Sequence, residues 1–391
     1  MAPGVLATDV SPAPEPIGET VTFHAGKGKG VRHFIPGSKP TFTSIPTVDF
    51  SLATSSNLTD RQSVANAVGR AFTETGFMYA VNHGIPPELL SEAPARVVRD
   101  FFALPSEKKM DIHINKSPAI RGYEALYETR LNQKTMGDMK EAFNCADDPW
   151  EPEQHAPADL DTTYSHYPPN PEGKILNQWP DDVLPAFRQT LTTYRDAVSA
   201  FAKTILRMVA LSLGEEETYF ESMCKFPMAG LRALRYPPAA PIPEGSEATE
   251  TIGIGAHADY SFITLVNQLS GDANAQGGLE VLTPSGHWIA APPVPGSLVV
   301  NVGDFLERAT NDRFTSTVHR VRNCVGSERH SLAYFFSPSS DSIIKTVPSC
   351  VVEGEEDKYE EIRAGDWQLQ RLLRARYKHP ASVKARENGE I

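Results

Sequence analysis

Cysteine is scarce in this chain: Cys145, Cys224, Cys324 and Cys350 are far apart and none forms a C-x-x-C pair. Neither a disulfide-stapled scaffold nor a cysteine zinc site is compatible with that spacing, and reduced thiols in an intracellular protein are expected instead. Long apolar runs are missing too, since no stretch approaches the ~20 residues of a membrane helix. The N-terminus has no basic leader followed by an apolar core, so it is not read as a secretory signal, and the terminal ENGEI is no targeting address. A cytoplasmic location without a membrane partner is expected. Positive charge is in deficit, with 37 Lys and Arg against 49 Asp and Glu and a net charge of −12. Such a surface repels phosphate backbones, so nucleic acid is not an expected partner. What remains, 40% hydrophobic and 22% charged over 391 residues, is globular and long enough for one large domain or two modest ones.

The texture changes along the chain. Residues 1–42 are rich in Pro, Gly and small polar residues and read as an arm, flexible or draped over the surface. Its Gly26-Lys-Gly-Lys-Gly30 run lacks the strand and helix that flank a phosphate loop, and reads as a basic segment. Residues 43–226 are mostly helical. Short strands at 45–50 and 77–82 surround a helix capped at Thr59-Asp60, and helices follow at 86–102 and 105–111. A helix over 185–213 carries Leu191, Tyr194, Val198, Phe201, Ile205, Met208 and Val209 at helical spacing. Between Asn144 and Pro180 lies a long Pro-rich connection of the kind that often serves as a lid. From 227 to 340 short strands alternate with Gly, Pro and Asn, the pattern of an all-β sandwich or jelly roll. A C-terminal helical segment, 341–391, is centred on a helix from 359 to 377. No internal repeat is visible, and nothing marks an oligomer interface.

The chemistry concentrates in the β region. His257 and Asp259 stand two apart at a strand end, and residues i and i+2 of a strand share a face. His319, in a later strand, completes a set of two imidazoles and a carboxylate. Ligands on one side of an ion leave the opposite positions open, which is the facial triad of iron(II) oxygenases. Alone, H-x-D is a weak motif. It is sharpened by Arg329-His-Ser331, where Arg and Ser again share a strand face. A planar guanidinium with a hydroxyl beside it suits the distal carboxylate of a dicarboxylate such as 2-oxoglutarate, and Tyr236 would add a phenolic hydrogen bond. Read apart from the triad, Arg329 and Ser331 are an ordinary Arg and Ser.

The stretch from Leu234 to Pro338 resembles the core of the 2-oxoglutarate- and iron(II)-dependent dioxygenases, in the isopenicillin N synthase-like subfamily. The matching pieces are RYPP, GAHADYSFITLV, GGLEVL, GHWIAAPPVPGSLVVNVGDFLERATNDRFTSTVHRV and RHSLAYFFSP. IPTVDF, GFMYAVNHGI, FFALPSEKK, RGY, DMKEAF and NQWP resemble the family's helical N-terminal region, so the likeness spans roughly residues 43 to 378 with its motifs in order. It implies a mainly β fold with flanking helices, built on a double-stranded β-helix (jelly roll) core. It implies Fe(II), 2-oxoglutarate and O₂ as cofactors, His257, Asp259 and His319 as iron ligands, and Arg329, Ser331 and Tyr236 as the groups that hold 2-oxoglutarate. One departure is Leu234, where many members carry an Asn that orients the keto acid. Isopenicillin N synthase keeps the Arg-x-Ser pair without using 2-oxoglutarate, so an iron oxidase of that kind is the alternative.

Motif position makes Arg121, Tyr123, Phe143, Phe262 and Phe335 candidates for a substrate pocket, Phe335 because it continues the alternation of Arg329, Ser331 and Ala333. Trp367 and Leu372 lie on a C-terminal helix whose apolar face closes the core. His83, His287, His330, Asn301 and Asp304 read as structural, with His330 at the surface or in a second layer. The expected activity is oxidation of a small natural product or metabolite by hydroxylation, desaturation or ring rearrangement. A nucleic-acid or histone demethylase on the same scaffold is disfavoured by the acidic balance, and a non-catalytic receptor by the intact triad.

Overall fold

The structure is a computed structural model describing residues 22–24, 31–33, 41–117, 119–129, 137–146, 177–240, 252–269, 277–351, 354 and 357–390. The lid expected between 144 and 180 and the Gly26–Gly30 run lie outside the described residues, apart from the ends of the former.

In chain order the first strands are β1 (Thr22–His24), β2 (Val31–His33), β3 (Thr47–Asp49), β4 (Phe77–Val81), β5 (Gly122–Glu124) and β6 (Glu141–Ala146). They are followed by β7 (Gly230–Tyr236), β8 (Ile252–His257), β9 (Ile263–Gln268), β10 (Gly278–Leu282) and β11 (Trp288–Ala290). The last are β12 (Leu298–Val302), β13 (His319–Arg322), β14 (Arg329–Phe336), β15 (Ile343–Ile344) and β16 (Ile362–Arg363). Two sheets dominate: six strands in the order β11-β10-β13-β8-β1-β2, and eight in the order β3-β4-β12-β9-β14-β7-β6-β5. β15 and β16 pair separately.

Strand alternation gives the eight-stranded sheet two different faces. Tyr79, Val299, Val266, Ala333, Leu234 and Tyr236 pack with Leu279, Val281 and Val321 of the six-stranded sheet, forming the core between the sheets. Val300, Leu265, Leu332, Tyr334, Leu231 and Phe143 point the other way, into a larger core roofed by the helices Leu58–Glu74, Glu92–Phe102 and Pro185–Leu213. The last of these buries Leu191, Tyr194, Val198, Ile205 and Met208 completely. Each such side chain contributes ~1.5–3 kcal/mol on burial, so packing rather than intrinsic propensity holds this helix. It stops at Gly214, whose φ of 81° suits a residue without a Cβ.

The observed elements revise several expectations. Asn57, not Thr59-Asp60, caps the first long helix, because its side chain accepts from the Thr59 N–H. The expected 359–377 helix begins only at Ala364 and ends at Ala375, after which Pro380 starts another helix to Glu387. Proline lacks the N–H to continue a helix but fits a first turn, and His379 accepts from the Ala381 N–H. The 43–226 region supplies β3 to β6 to the same sheet as β7, β9, β12 and β14, so the strand layer runs through the boundary at 226/227. β5 and β6 were not readable as strands, since β6 (Glu-Ala-Phe-Asn-Cys-Ala) is buried on both faces and alternates no polarity. Part of the N-terminal arm is draped: β1 pairs with β8 in parallel, with His24 opposite His257.

Candidate metal centre and anion pocket

His257 ends β8 and His319 begins β13, and antiparallel pairing sets them directly opposite one another. Asp259 follows two residues after His257. One ligand atom from each of the three lies within 4.8 Å of the other two. His257 Nε2 is 3.6 Å from Asp259 Oδ1, and His319 Nε2 is 3.6 Å from Asp259 Oδ2. The other ring nitrogens are tied back: His257 Nδ1 donates to the Gly255 carbonyl at 2.8 Å and His319 Nδ1 to the Thr317 carbonyl at 3.1 Å. Those bonds fix the tautomer that leaves both Nε2 lone pairs facing Asp259, as metal-ligating histidines require. Thr264 Oγ1 and Asn301 Nδ2 donate to Asp259 Oδ2 at 2.7 and 2.8 Å. Burial, reinforced by His319, pushes the His257 imidazole down to about 3 and keeps it neutral. Burial acts to raise the Asp259 carboxyl, but His319, His257, Asn301 and Thr264 outweigh it and hold it below its ordinary value. Two neutral imidazoles and a carboxylate, pre-aimed at one point, fit an iron(II) ion.

The second cluster lies on the facing sheet. Register sets Arg329 opposite Tyr236 and Ser331 opposite Leu234 and Gln268. Arg329 is 3% exposed, and its Nη2 donates to Gln268 Oε1 at 2.8 Å while the guanidinium lies 5.0 Å from the Tyr236 ring centroid. Its Nη1 is buried and has no hydrogen-bond partner among the described residues. A buried cationic donor without an acceptor is costly, and a carboxylate is the complement it lacks. Ser331 and Tyr236 are buried beside it, and Gly253 has no side chain to displace the Tyr236 ring, whose Cδ1 would stand 2.8 Å from a Cβ there. Leu234 fills the place opposite Ser331 with an apolar side chain, so an orienting amide is replaced by packing in the inter-sheet core.

The structure divides the pocket candidates. Phe335 is half-buried on the inner face, paired with Thr264, one of the donors to Asp259. Phe143 and Phe262 are fully buried on the helix-roofed side, Phe143 against Phe101, Phe187 and Trp179, and Phe262 against Phe220 and Phe305. Tyr123 shares that face and donates to Glu141 Oε2 at 2.6 Å. All three are packed in the helix-roofed core, Tyr123 and Phe143 because odd steps along β5 and β6 turn their side chains away from the inner face, and Phe262 because it precedes β9 and packs under the helices. Arg121 is at the sheet edge, where its carbonyl accepts from Gln178 Nε2 at 2.7 Å. Asn301, read from sequence as structural, donates both to the Val302 carbonyl and to Asp259 Oδ2, which it orients. Its place opposite Thr264 on adjacent strands was the missing signal.

His330 faces away from Arg329, is 3% exposed, and is no surface residue. Burial pushes its imidazole down to about 4, with Glu328 pulling up and Arg235, Arg99 and Arg329 adding to the depression. A folded-state value below the unfolded 6.5 means that the unfolded chain binds more protons between the two. Stability should therefore fall as pH drops through that window, by at most about 1.4 kcal/mol per pH unit from this residue. Denaturant titrations across the window should show a shallower decline in His330→Gln than in the wild type.

Residues 45–182 match the model of the N-terminal region of the non-haem dioxygenases of morphine synthesis, and residues 229–338 that of the 2OG-Fe(II) oxygenase superfamily. The chain is 32% identical over 378 residues to the 2-oxoglutarate-Fe(II) type oxidoreductase ppzC of Metarhizium majus, covering 94% of this chain and 97% of the relative. It is 34% identical to homoarginine-6-hydroxylase of Glycine max, over 78% of this chain and 88% of that one. Among solved structures, a full-length Neurospora crassa protein in complex with alpha-KG superposes with a TM-score of 0.67 at 30% identity, over 84% of this chain and 95% of that one. On these matches and the His–Asp–His cluster, the protein is a 2-oxoglutarate-dependent dioxygenase acting on a small molecule with Fe(II), 2-oxoglutarate and O₂, and the chain belongs to the 2OG-Fe(II) oxygenase superfamily.

Proposed function

We propose that His257, Asp259 and His319 hold the iron, and that Arg329, Ser331 and Tyr236 hold the distal carboxylate of 2-oxoglutarate. The observation that carries this is the pairing of three converging ligand atoms on one sheet with the unpartnered Arg329 Nη1 on the sheet facing it. The two sheets are read as a double-stranded β-helix, with 1–42 as an arm, 43–226 as helical cover and 341–391 as the closing helices. Bound iron would supply the redox chemistry that couples decarboxylation of 2-oxoglutarate to succinate with oxidation of the substrate. The protein's own part is positional. Thr264 and Asn301 hold Asp259 Oδ2 so that Oδ1 stays available, the two backbone carbonyls keep the imidazoles aimed, and Arg329 fixes the keto acid's far end. Phe335 and Ala333 present an apolar wall that excludes water beside the centre. The substrate is a small natural product or metabolite. The four cysteines are buried thiols with no disulfide among them, which supports a cytoplasmic setting.

The test is succinate formation by anaerobically iron-loaded protein given 2-oxoglutarate and then O₂. Wild-type protein should form succinate and, before O₂ is admitted, the absorption band of an iron–keto acid complex. Absence of both would overturn the assignment of these residues to iron and 2-oxoglutarate.

A further inference from the structure

We propose that the substrate enters carboxylate-first beside the iron site, its anionic oxygen against Arg232 and a neighbouring N–H or O–H donor against Asp138. This rests on the reading of the centre given above and names the chemistry that its pocket selects.

Arg232 lies on β7 two residues before Leu234 and four before Tyr236, so all three share the inner face. On the strand to one side it faces Ala333, and on the other Asn144. The rung of Phe335 and Thr264 lies on one side of that level, and the rung of Ser331 and Gln268 on the other. Arg232 therefore stands between the metal end and the 2-oxoglutarate end of the inner face, next to a residue as small as alanine. Its Nη2 is held by Glu124 Oε1 at 2.7 Å, while its Nε is buried and has no partner.

Asp138 is 5% exposed. Its Oδ1 accepts from the Gly255 N–H at 3.1 Å, which fastens it to β8 two residues before His257, and its Oδ2 is buried without a partner among the described residues. Arg232 and Asp138 form no ion pair with each other, although their charges interact. Two buried polar atoms of opposite character, without partners among the described residues and on side chains near enough for their charges to interact, are a cost that folded cores avoid. A ligand carrying an acceptor next to a donor removes both.

Charge decides which acceptor. Glu124, fully buried, takes Lys140 at 2.7 Å, Arg232 at 2.7 Å and Arg376 at 3.3 Å. With Asp138, whose charge interacts with Lys140 and Arg232, included, three cations stand with two carboxylates in this cluster of the described residues. An anionic substrate oxygen balances that surplus in a low-dielectric site, whereas a cationic group would add to it.

The experiment uses full-length protein loaded with iron and 2-oxoglutarate without O₂, titrated calorimetrically with acetate, benzoate, 2-aminobenzoate, benzamide and aniline. Formation of the iron–keto acid band in each variant is the control. Carboxylates should bind more tightly than benzamide or aniline, with 2-aminobenzoate ahead of benzoate. Arg232→Gln should weaken the carboxylates about tenfold, the loss expected for a charge-assisted bond, and Arg232→Lys should restore part of it. Asp138→Asn should erase the advantage of 2-aminobenzoate over benzoate. The proposal is overturned if benzamide or aniline binds as well as the carboxylates, if Arg232→Gln leaves their preference intact, or if no carboxylate binds at millimolar concentration while the band forms. Absence of the band in wild-type protein would overturn the reading of the centre itself.

Discussion

Arg329→Ala is expected to weaken 2-oxoglutarate binding by about 30-fold or more, with little loss of iron affinity. The guanidinium is 3% exposed, anchored by Gln268 on one side and stacked near Tyr236 on the other, and its Nη1 is left over for a ligand. Truncating one partner of a buried, hydrogen-bonded charge pair costs ~2–5 kcal/mol, because the other charge stays buried and unpaired. Two kcal/mol is already about 30-fold in Kd. Arg329→Lys should recover only part, since an ammonium keeps the charge but not the planar fork. The check is anaerobic titration of the iron–keto acid band with 2-oxoglutarate. An unchanged affinity would mean that the carboxylate sits elsewhere and that Arg329 is merely structural.

The larger effect is expected from Asp259→Ala, which should abolish succinate formation and lower iron affinity by more than about 100-fold. Asp259 is the only carboxylate in the cluster, and it lies 3.6 Å from both imidazole Nε2 atoms. Without it the two imidazoles offer no negative charge to a divalent ion. Asn301→Ala and Thr264→Ala give the scale: each removes one donor to Asp259 Oδ2 and should cost the ~10–100-fold typical of groups that orient a ligand. Equilibrium metal binding across the three variants checks the ranking, with thermal melts as the control for folding. Iron retained by Asp259→Ala at near wild-type affinity would sink the assignment.

Most of what places the metal cluster could be read along the chain. Arg329-His-Ser331 is a two-residue step inside β14, which a strand's period of two turns into a shared face without any knowledge of the fold, whereas His257 closes β8 and Asp259 reaches the cluster from two residues beyond the strand's end. The run of short strands expected between 227 and 340 is present as β7 to β14, because Gly, Pro and Asn punctuate it. The substrate pocket was a different matter. Tyr123, Phe143 and Phe262 lie in or next to family-like motifs, but Tyr123 and Phe143 are one step out of phase with the inner face, Phe262 precedes β9, and all three are packed under the helices. Arg232 was passed over between Leu231 and Ala233, in a strand otherwise read for its Tyr. Asp138 opens the DMKEAF piece, but it stands before β6 begins, where no periodicity shows which way its carboxylate is turned.

The sequence by itself determined the ligand types, their spacing within each strand, the helix faces and the strand run that carries them, because those depend on local periodicity and side-chain chemistry. Only the tertiary structure decided which strands lie opposite: His319 against His257, Asn301 against Thr264, Arg232 against Ala333. It also decided which polar atoms remain without a partner once Glu124 has gathered Lys140, Arg232 and Arg376 from separate segments. The reason is physical. Pairing between distant strands and the satisfaction of buried charges are set by the whole packed core, and no single stretch of chain holds that information.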